Sequence, residues 1–171
     1  SYEARAFGVH ASMPMRTARQ LCPEAILLNG NAGSYSKFSK EVTDIIKEDS
    51  PIYEKSSIDE FYIDATGMDR FYGCYKWSQE LRTKIIRETG LPISFALSTN
   101  KTVAKVGTGE AKPNNHKQIS NGIEIPFLAP LSIRKITSVV LETNNSLRVI
   151  GVTQLETVQA FLKEWIKSVM V

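Results

Sequence analysis

Ser57-Ile58-Asp59-Glu60-Phe61-Tyr62-Ile63-Asp64 sets two adjacent carboxylates inside an apolar, strand-prone run. Ile58, Phe61, Tyr62 and Ile63 favour strands, and Gly67 follows as a stop. Acidic side chains are rarely buried unless they are paired or bind a metal. A strand that carries Asp-Glu towards a core therefore calls for a cation, and hard ions such as Mg²⁺ take carboxylate oxygens. Neighbours along a strand point to opposite faces, so Asp59 and Glu60 can share one ion only at a strand end, a bulge or a strong twist. Asp64 shares the parity of Glu60 but lies further along, and reads as a turn or cap residue. The plain alternative for the acidic pair is a solvated strand end.

Working outward, Ile52 to Asp64 holds this acidic strand, with a break near Glu54-Lys55. On its N-terminal side, Tyr2 to Phe7 predicts a short helix stopped by Gly8, and Pro14 opens a second one carrying Ala18, Leu21 and Cys22 up to Pro23. Ala25 to Leu28 is a short strand candidate. Ser34 reads as an N-cap, with Tyr35, Phe38, Val42, Ile45 and Ile46 following at helical spacing. On the C-terminal side, a helix from about Met68 to Glu88 presents Phe71, Tyr75, Leu81 and Ile85 on one side and ends at Gly90. Ile93, Phe95 and Leu97 alternate with Ser94, Ala96 and Ser98 as a half-buried strand. Asn100 caps a helix running through Val103 and Val106 to Ala111, ended by Pro113. This alternation predicts an α/β (α+β) fold with helices on one or both faces of a sheet. After Asn121 the composition changes. Glu124 to Pro130 reads as a proline-flanked linker, and helical segments follow near Leu131–Lys135, Leu141–Ile150 and Leu155–Val169.

The bulk composition sets limits. The 171 residues allow one or two small domains, and 42% hydrophobic with 23% charged residues is ordinary for a globular protein. A net charge of +3 permits nucleic-acid binding without arguing for it, so the placement of charge decides. Cys22 and Cys74 have no CxxC spacing, which speaks against a disulfide framework or a zinc site and for a reducing, cytoplasmic setting. No apolar run approaches membrane-spanning length, so no membrane partner is expected. Ser1-Tyr2-Glu3-Ala4-Arg5 reads as the interior of a longer protein.

Two further groupings can carry chemistry. Ser98-Thr99-Asn100-Lys101-Thr102-Val103-Ala104-Lys105, continuing to Ala111-Lys112-Pro113-Asn114, brings three lysines and a helix N-terminus together after a strand. Helix N-termini and lysines favour phosphate, against the plain alternative of a solvated helix face. Tyr2 and Arg5 lie at i and i+3 on the first helix and share a face. An arginine fork beside a phenol suits triphosphate oxygens. His10 and His116 have no metal-ligand spacing and read as surface or loop residues.

Together these stretches resemble the Y-family translesion DNA polymerases of the DNA polymerase IV type. Ser1-Tyr2-Glu3-Ala4-Arg5, with Gly8-Val9 and Ser12-Met13-Pro14, resembles the family's fingers motif. Ser57 to Asp64 resembles its catalytic palm strand. Ser98-Thr99-Asn100-Lys101, Ala104-Lys105 and Ala111-Lys112-Pro113-Asn114 resemble its closing palm helix. The resemblance covers about residues 1–135 and implies a division into partial fingers (1–31), palm (32–120) and partial thumb (121–171). It implies Asp59 and Glu60 as catalytic Mg²⁺ ligands, Tyr2, Arg5 and Lys112 as contacts to the incoming triphosphate, and Ser57 near the primer terminus. Lys101 and Lys105 carry over less firmly, as DNA contacts or supports of the site. The implied reaction is Mg²⁺-dependent transfer of a nucleotide from a dNTP to a primer 3′ end, with primer-template DNA as partner and a sliding clamp as a further one.

Two departures shape the expectation. The family's first catalytic Asp and its bulky sugar-screening aromatic lie on a strand that no residue here matches, nor is its little-finger domain matched. The 171-residue chain alone is therefore expected to lack one metal ligand, to be inactive, and to expose a sheet edge near segment 57–64, with local disorder, a rearranged sheet or self-association as the outcome. The thumb hairpin of the family carries glycine where this sequence reads Ile136-Thr137-Ser138-Val139-Val140. The alternatives are a nucleotide cyclase-like palm domain, which would convert NTP without primer, and a degenerate homologue that binds DNA or protein without catalysis.

Overall fold

The computed structural model describes residues 1–50, 52–68, 73–136 and 141–169. The expected role of Phe71 on a helix face and the glycine-free stretch at 137–140 lie outside them. The chain divides into two compact units, Ser1–Tyr35 and Ser36–Val171. In the first, helix α1 (Tyr2–Ala6) is capped by Ser1, whose Oγ accepts the Ala4 N–H at 3.2 Å, and Gly8 leaves it at φ +85°. Helix α2 (Met15–Leu21) follows Pro14, whose φ of −55° suits a helix start. The strand expected at Ala25–Leu28 does not form. Those residues carry no regular structure, and Ile26 and Leu28 are 86% and 87% exposed. A run this short is a strand only where a ladder partner lies alongside, and none pairs with it among the described residues.

Helix α3 (Ala32–Asp49) spans the division. Asn31, not Ser34, caps it, its Oδ1 accepting the Ser34 N–H at 3.2 Å. Ile45 and Ile46 of α3 are buried against Leu81 and Ile85 of α4 (Cys74–Thr89), with Val42, Tyr53, Phe61, Ile63, Trp77 and Ile93 packed around them. Helix α4 starts at Cys74 instead of Met68 because Gly73 precedes it at φ +81°, outside the helical region; Gly90 closes it in the left-handed region as expected.

Strands β1 (Tyr53–Lys55) and β2 (Phe61–Ile63) form an antiparallel hairpin in which Tyr53 faces Ile63, Glu54 faces Tyr62 and Lys55 faces Phe61. Strands β3 (Phe95–Leu97) and β4 (His116–Gln118) pair in parallel, joined in sequence by α5 (Lys101–Ala111). The two ladders are separate among the described residues. Helix α5 lies close on the second ladder: a Cβ built on Gly107 would meet Ile119 Cδ1 at 2.5 Å and Ala96 Cβ at 2.8 Å. His116, expected on the surface, is half-buried in β4. Its Nδ1 lies 2.6 Å from the Tyr75 hydroxyl and its ring stacks on Phe95 at 5.3 Å.

The linker expected at Glu124–Pro130 contains helix α6 (Glu124–Leu128). Pro126 falls in its first turn, where a missing N–H costs nothing. Glu124 ties the start of α6 down, accepting the Thr99 hydroxyl at 2.6 Å and the Gly122 N–H at 2.7 Å, and these bonds hold its carboxyl below the ordinary carboxylate range. A 3-10 turn (Ile133–Lys135), α7 (Leu141–Val149) and α8 (Leu155–Val169) follow, close to the predicted helical segments. Ile133, Val152 and Leu155 form a second buried cluster with Leu128, Leu131, Ile136 and Leu147 around it. No described helix is long and apolar enough to cross a membrane.

Candidate functional site

The hairpin register sorts its side chains by face. Tyr53, Phe61 and Ile63 pack on the core of α3 and α4. Glu54 and Tyr62 are paired across the ladder, and Glu60 precedes Tyr62 by two residues, so these three share the other side. The connection from Ser56 to Glu60 is a bend and not continuous strand: the N–H groups of Ser56 and Ser57 both reach the Glu60 carbonyl, at 2.9 and 3.3 Å. The acidic pair thus stands at a strand end. A strand end is one of the positions where neighbouring side chains need not point to opposite faces, and the expected break comes after Lys55. Asp59 is exposed, not carried into a core, and Glu60 is half-buried.

Ser57 Oγ donates to Asp59 Oδ1 at 2.7 Å, which fixes the exposed carboxylate over its own turn. Asp64 closes the other end of β2 as a turn residue, accepting the Thr66 N–H at 2.9 Å, and its bonds to Thr66 lower its pKa.

Helix α5 faces this hairpin. Asn100 caps it, Oδ1 accepting the Val103 N–H at 3.0 Å. Val103 and Val106 are buried, which fixes the helix and directs Lys101 and Lys105, one turn apart, along one side. Lys105 Nζ donates to Glu60 Oε2 at 2.7 Å, with the two side chains 30% and 44% exposed. Lys101 pairs with Glu54 and sits 5.4 Å from the centre of the Tyr62 ring. Two of the three lysines read from the sequence as phosphate-facing, Lys101 and Lys105, are therefore neutralised by hairpin carboxylates. The Lys105 ammonium is stabilised first by its bond to Glu60 and further by the charge of Glu60, Tyr62 and Asp59, against the cost of burial, so its pKa is raised. Glu54 and Tyr62 were not foreseen as members of this cluster. Their equal parity with Glu60, opposite two lysines at i and i+4, is the signal that could have found them.

The remaining predicted residues stand elsewhere. Lys112 is the exposed C-cap of α5, about 10 Å along the helix from Lys105 at 1.5 Å per residue. In the first unit, the Arg5 guanidinium lies 5.9 Å from the centre of the Tyr2 ring, so these two do share a helix face. His10 is exposed, with Nδ1 2.9 Å from the Ala11 carbonyl.

Among the described residues, no three His, Cys, Asp or Glu side chains form a metal cage. Asp59 and Glu60 nevertheless fit Mg²⁺ by donor type. That ion is usually held by one or two carboxylates, with water and substrate phosphate completing its shell. One oxygen of Glu60 is already taken by an ammonium.

The model of the impB/mucB/samB family matches residues 1–109. A protein of Dehalococcoides mccartyi named DNA polymerase IV is 35% identical over 169 residues, covering 98% of this chain and 43% of that protein. One from Treponema denticola, with the same name, is 36% identical over 171 residues, covering 99% of this chain and 43% of that protein. Among solved structures, DinB from Sulfolobus solfataricus superposes with a TM-score of 0.84 at 26% identity, covering 94% of this chain and 48% of that one. A Dbh ternary complex superposes at 0.79 with 27% identity, covering 91% and 47%. The chain thus spans less than half the length of these relatives, and its helices and small ladders follow the fold of Y-family polymerases. With the family model covering residues 1–109 of the 171, the chain belongs to the impB/mucB/samB family, the Y-family polymerase domain.

Proposed function

We propose that this chain supplies part of the nucleotidyl-transfer centre of a template-directed, translesion-type DNA polymerase, with residues 1–31 from the fingers, 32–120 from the palm and 121–171 from the thumb. The observation that carries the reading is the acidic pair at the β1–β2 tip, with an exposed Asp59 beside the half-buried Glu60. Asp59 and Glu60 hold Mg²⁺. The ion, when bound, lowers the pKa of an attacking oxygen and neutralises charge on the leaving phosphate. Tyr2, Arg5 and Lys112 bind triphosphate oxygens, the arginine as a fork and the lysine as a point charge. Ser57, bonded to Asp59, lies near the primer terminus and orients the carboxylate. Primer-template DNA and dNTP are the partners this reading requires, in the cytoplasm, and a sliding clamp is a further partner by family likeness.

The test uses the natural protein that carries this sequence. Asp59→Ala and Glu60→Ala are each expected to lower primer extension by a factor of about 10² to 10³, the scale of losing one preorganised charge-stabilising group. For Asp59→Ala, removing one of two neighbouring like charges relieves repulsion, so the melting temperature should hold or rise; Glu60→Ala also removes the partly exposed pair with Lys105, and its melting temperature should fall only slightly. A variant that melts normally and extends at the original rate returns the pair to a solvated strand end. Conversion of NTP without primer or template would point to a cyclase instead.

A further inference from the structure

We infer that the ammonium of Lys105 is a resident cation of the acidic tip, which a divalent ion must displace from Glu60 before it can bind there. The inference rests on the proposed metal role of Asp59 and Glu60. Lys105 Nζ sits 2.7 Å from Glu60 Oε2, on the carboxylate that the metal needs. Its position is built into the fold. Asn100 caps α5, and Val103 and Val106 are buried on either side in sequence, so the lysine stem leaves a fixed helix and does not range over the surface.

The physical consequence is a threshold. Without metal, two adjacent carboxylates repel each other, and an ammonium between them and α5 offsets that repulsion. The pair is partly open to water, with side chains 30% and 44% exposed. Ion pairs of that kind are weak, so a doubly charged ion can replace the ammonium. The displacement still has a cost, which raises the metal concentration needed to fill the site. Lys105 is thus a positioning residue that holds Glu60 ready and sets when it loads. Lys101 has no such role, because its carboxylate partner is Glu54 on β1.

The experiment is Mn²⁺ binding by water-proton relaxation on the natural protein, without DNA or nucleotide, beside thermal melts. Lys105→Met is expected to tighten Mn²⁺ binding roughly three- to tenfold, the equivalent of a weak ion pair with a like charge removed. Lys105→Arg, which keeps a cation on the same stem, is expected to stay near the original affinity. Glu60→Gln and Asp59→Asn are expected to weaken binding. In the unmodified protein, the Lys105 side-chain ammonium resonance should shift as Mg²⁺ is added. If Glu60→Gln weakens binding but Lys105→Met leaves it unchanged or weaker, the inference is overturned and the metal role survives. If Glu60→Gln and Asp59→Asn both leave Mn²⁺ binding unchanged, the metal role fails and the inference with it. If the Lys105→Met protein does not melt cooperatively, the resonance decides: no shift on Mg²⁺ addition overturns the inference.

Discussion

Lys105 and Lys112 differ by seven residues and by what surrounds them. Lys105 is bonded to Glu60 within the hairpin cluster, while Lys112 stands exposed at the C-cap of α5. Arg5 lies against the ring of Tyr2 in the first unit. If Arg5 and Lys112 bind triphosphate, each contributes charge-assisted bonds of about 1.5–3 kcal/mol. Arg5→Ala and Lys112→Ala in the natural protein should then lower kcat/KM for dNTP by roughly ten- to hundredfold, with primer-template affinity kept. Lys101→Ala, which removes an exposed pair with Glu54 and a contact with the Tyr62 ring, should change dNTP use by less than about threefold. Steady-state kinetics with varied dNTP, beside a DNA-binding titration, separates these effects; collapse of DNA affinity with unchanged dNTP use would refute the assignment. At this scale the sequence was readable where chemistry is local. Asp59-Glu60 stands out because acids interrupt an apolar run, Asn100 because a cap precedes a helical period, and Asp64 because a turn follows it. The Lys105–Glu60 pair joins residues 45 apart in the chain. It exists only once α5, packed on the β3–β4 ladder, and the hairpin stand side by side, and no local pattern encodes that arrangement.

Among the elements, α5 shows how packing can override propensity. Gly107 lies inside this helix, where glycine is less favourable than alanine by about 1 kcal/mol. Yet the added methyl of Gly107→Ala would stand 2.5 Å from Ile119 Cδ1 and 2.8 Å from Ala96 Cβ. The Ala96 methyl has no rotamer to change, and Ile119 is 2% exposed, with nowhere to swing. Overpacking of this kind costs about 1–3 kcal/mol, enough to cancel the helix gain or exceed it. Gly107→Ala should therefore lower the melting temperature, and a stabilised variant would show that α5 can lift off the β3–β4 ladder freely. Helices α3 and α5 were legible because their apolar residues recur at helical spacing. Strand β4 was not, because His116-Lys117-Gln118 has no apolar alternation and is a strand only through its ladder with β3. Helix α6 was hidden by Pro126, which reads as a breaker but sits where a helix tolerates it. Ala25–Leu28 shows the converse: β propensity without a partner gives no strand.

Over the whole molecule, the alternation of helices and strands predicts one sheet faced by helices, and the described residues hold two separate two-stranded ladders. Hydrophobic alternation tells which face of a strand is covered but not which strand lies at its edge, so the number of strands per sheet was beyond the sequence. Isolated two-stranded ladders are marginal unless they pack on helices, and here α3 and α4 cover the first and α5 covers the second. Face cover leaves the edges untouched. In each ladder, a strand paired on one side turns main-chain N–H and C=O groups away from its partner on the other, a template for adding another strand. Strand β2, Phe61-Tyr62-Ile63, is apolar and has neither proline nor lysine to discourage such pairing. We expect a polypeptide of residues 1–171 to self-associate through this edge as its concentration rises. Light scattering should show a mass that grows with concentration, and amide exchange should show protection at 61–63 growing in step. Residues 61–63 are paired to β1, so the protection to watch is that of the N–H groups β1 does not use. A strictly monomeric polypeptide up to millimolar concentration, with the outward-pointing amides of β2 already protected, would mean that the edge is covered within the single chain.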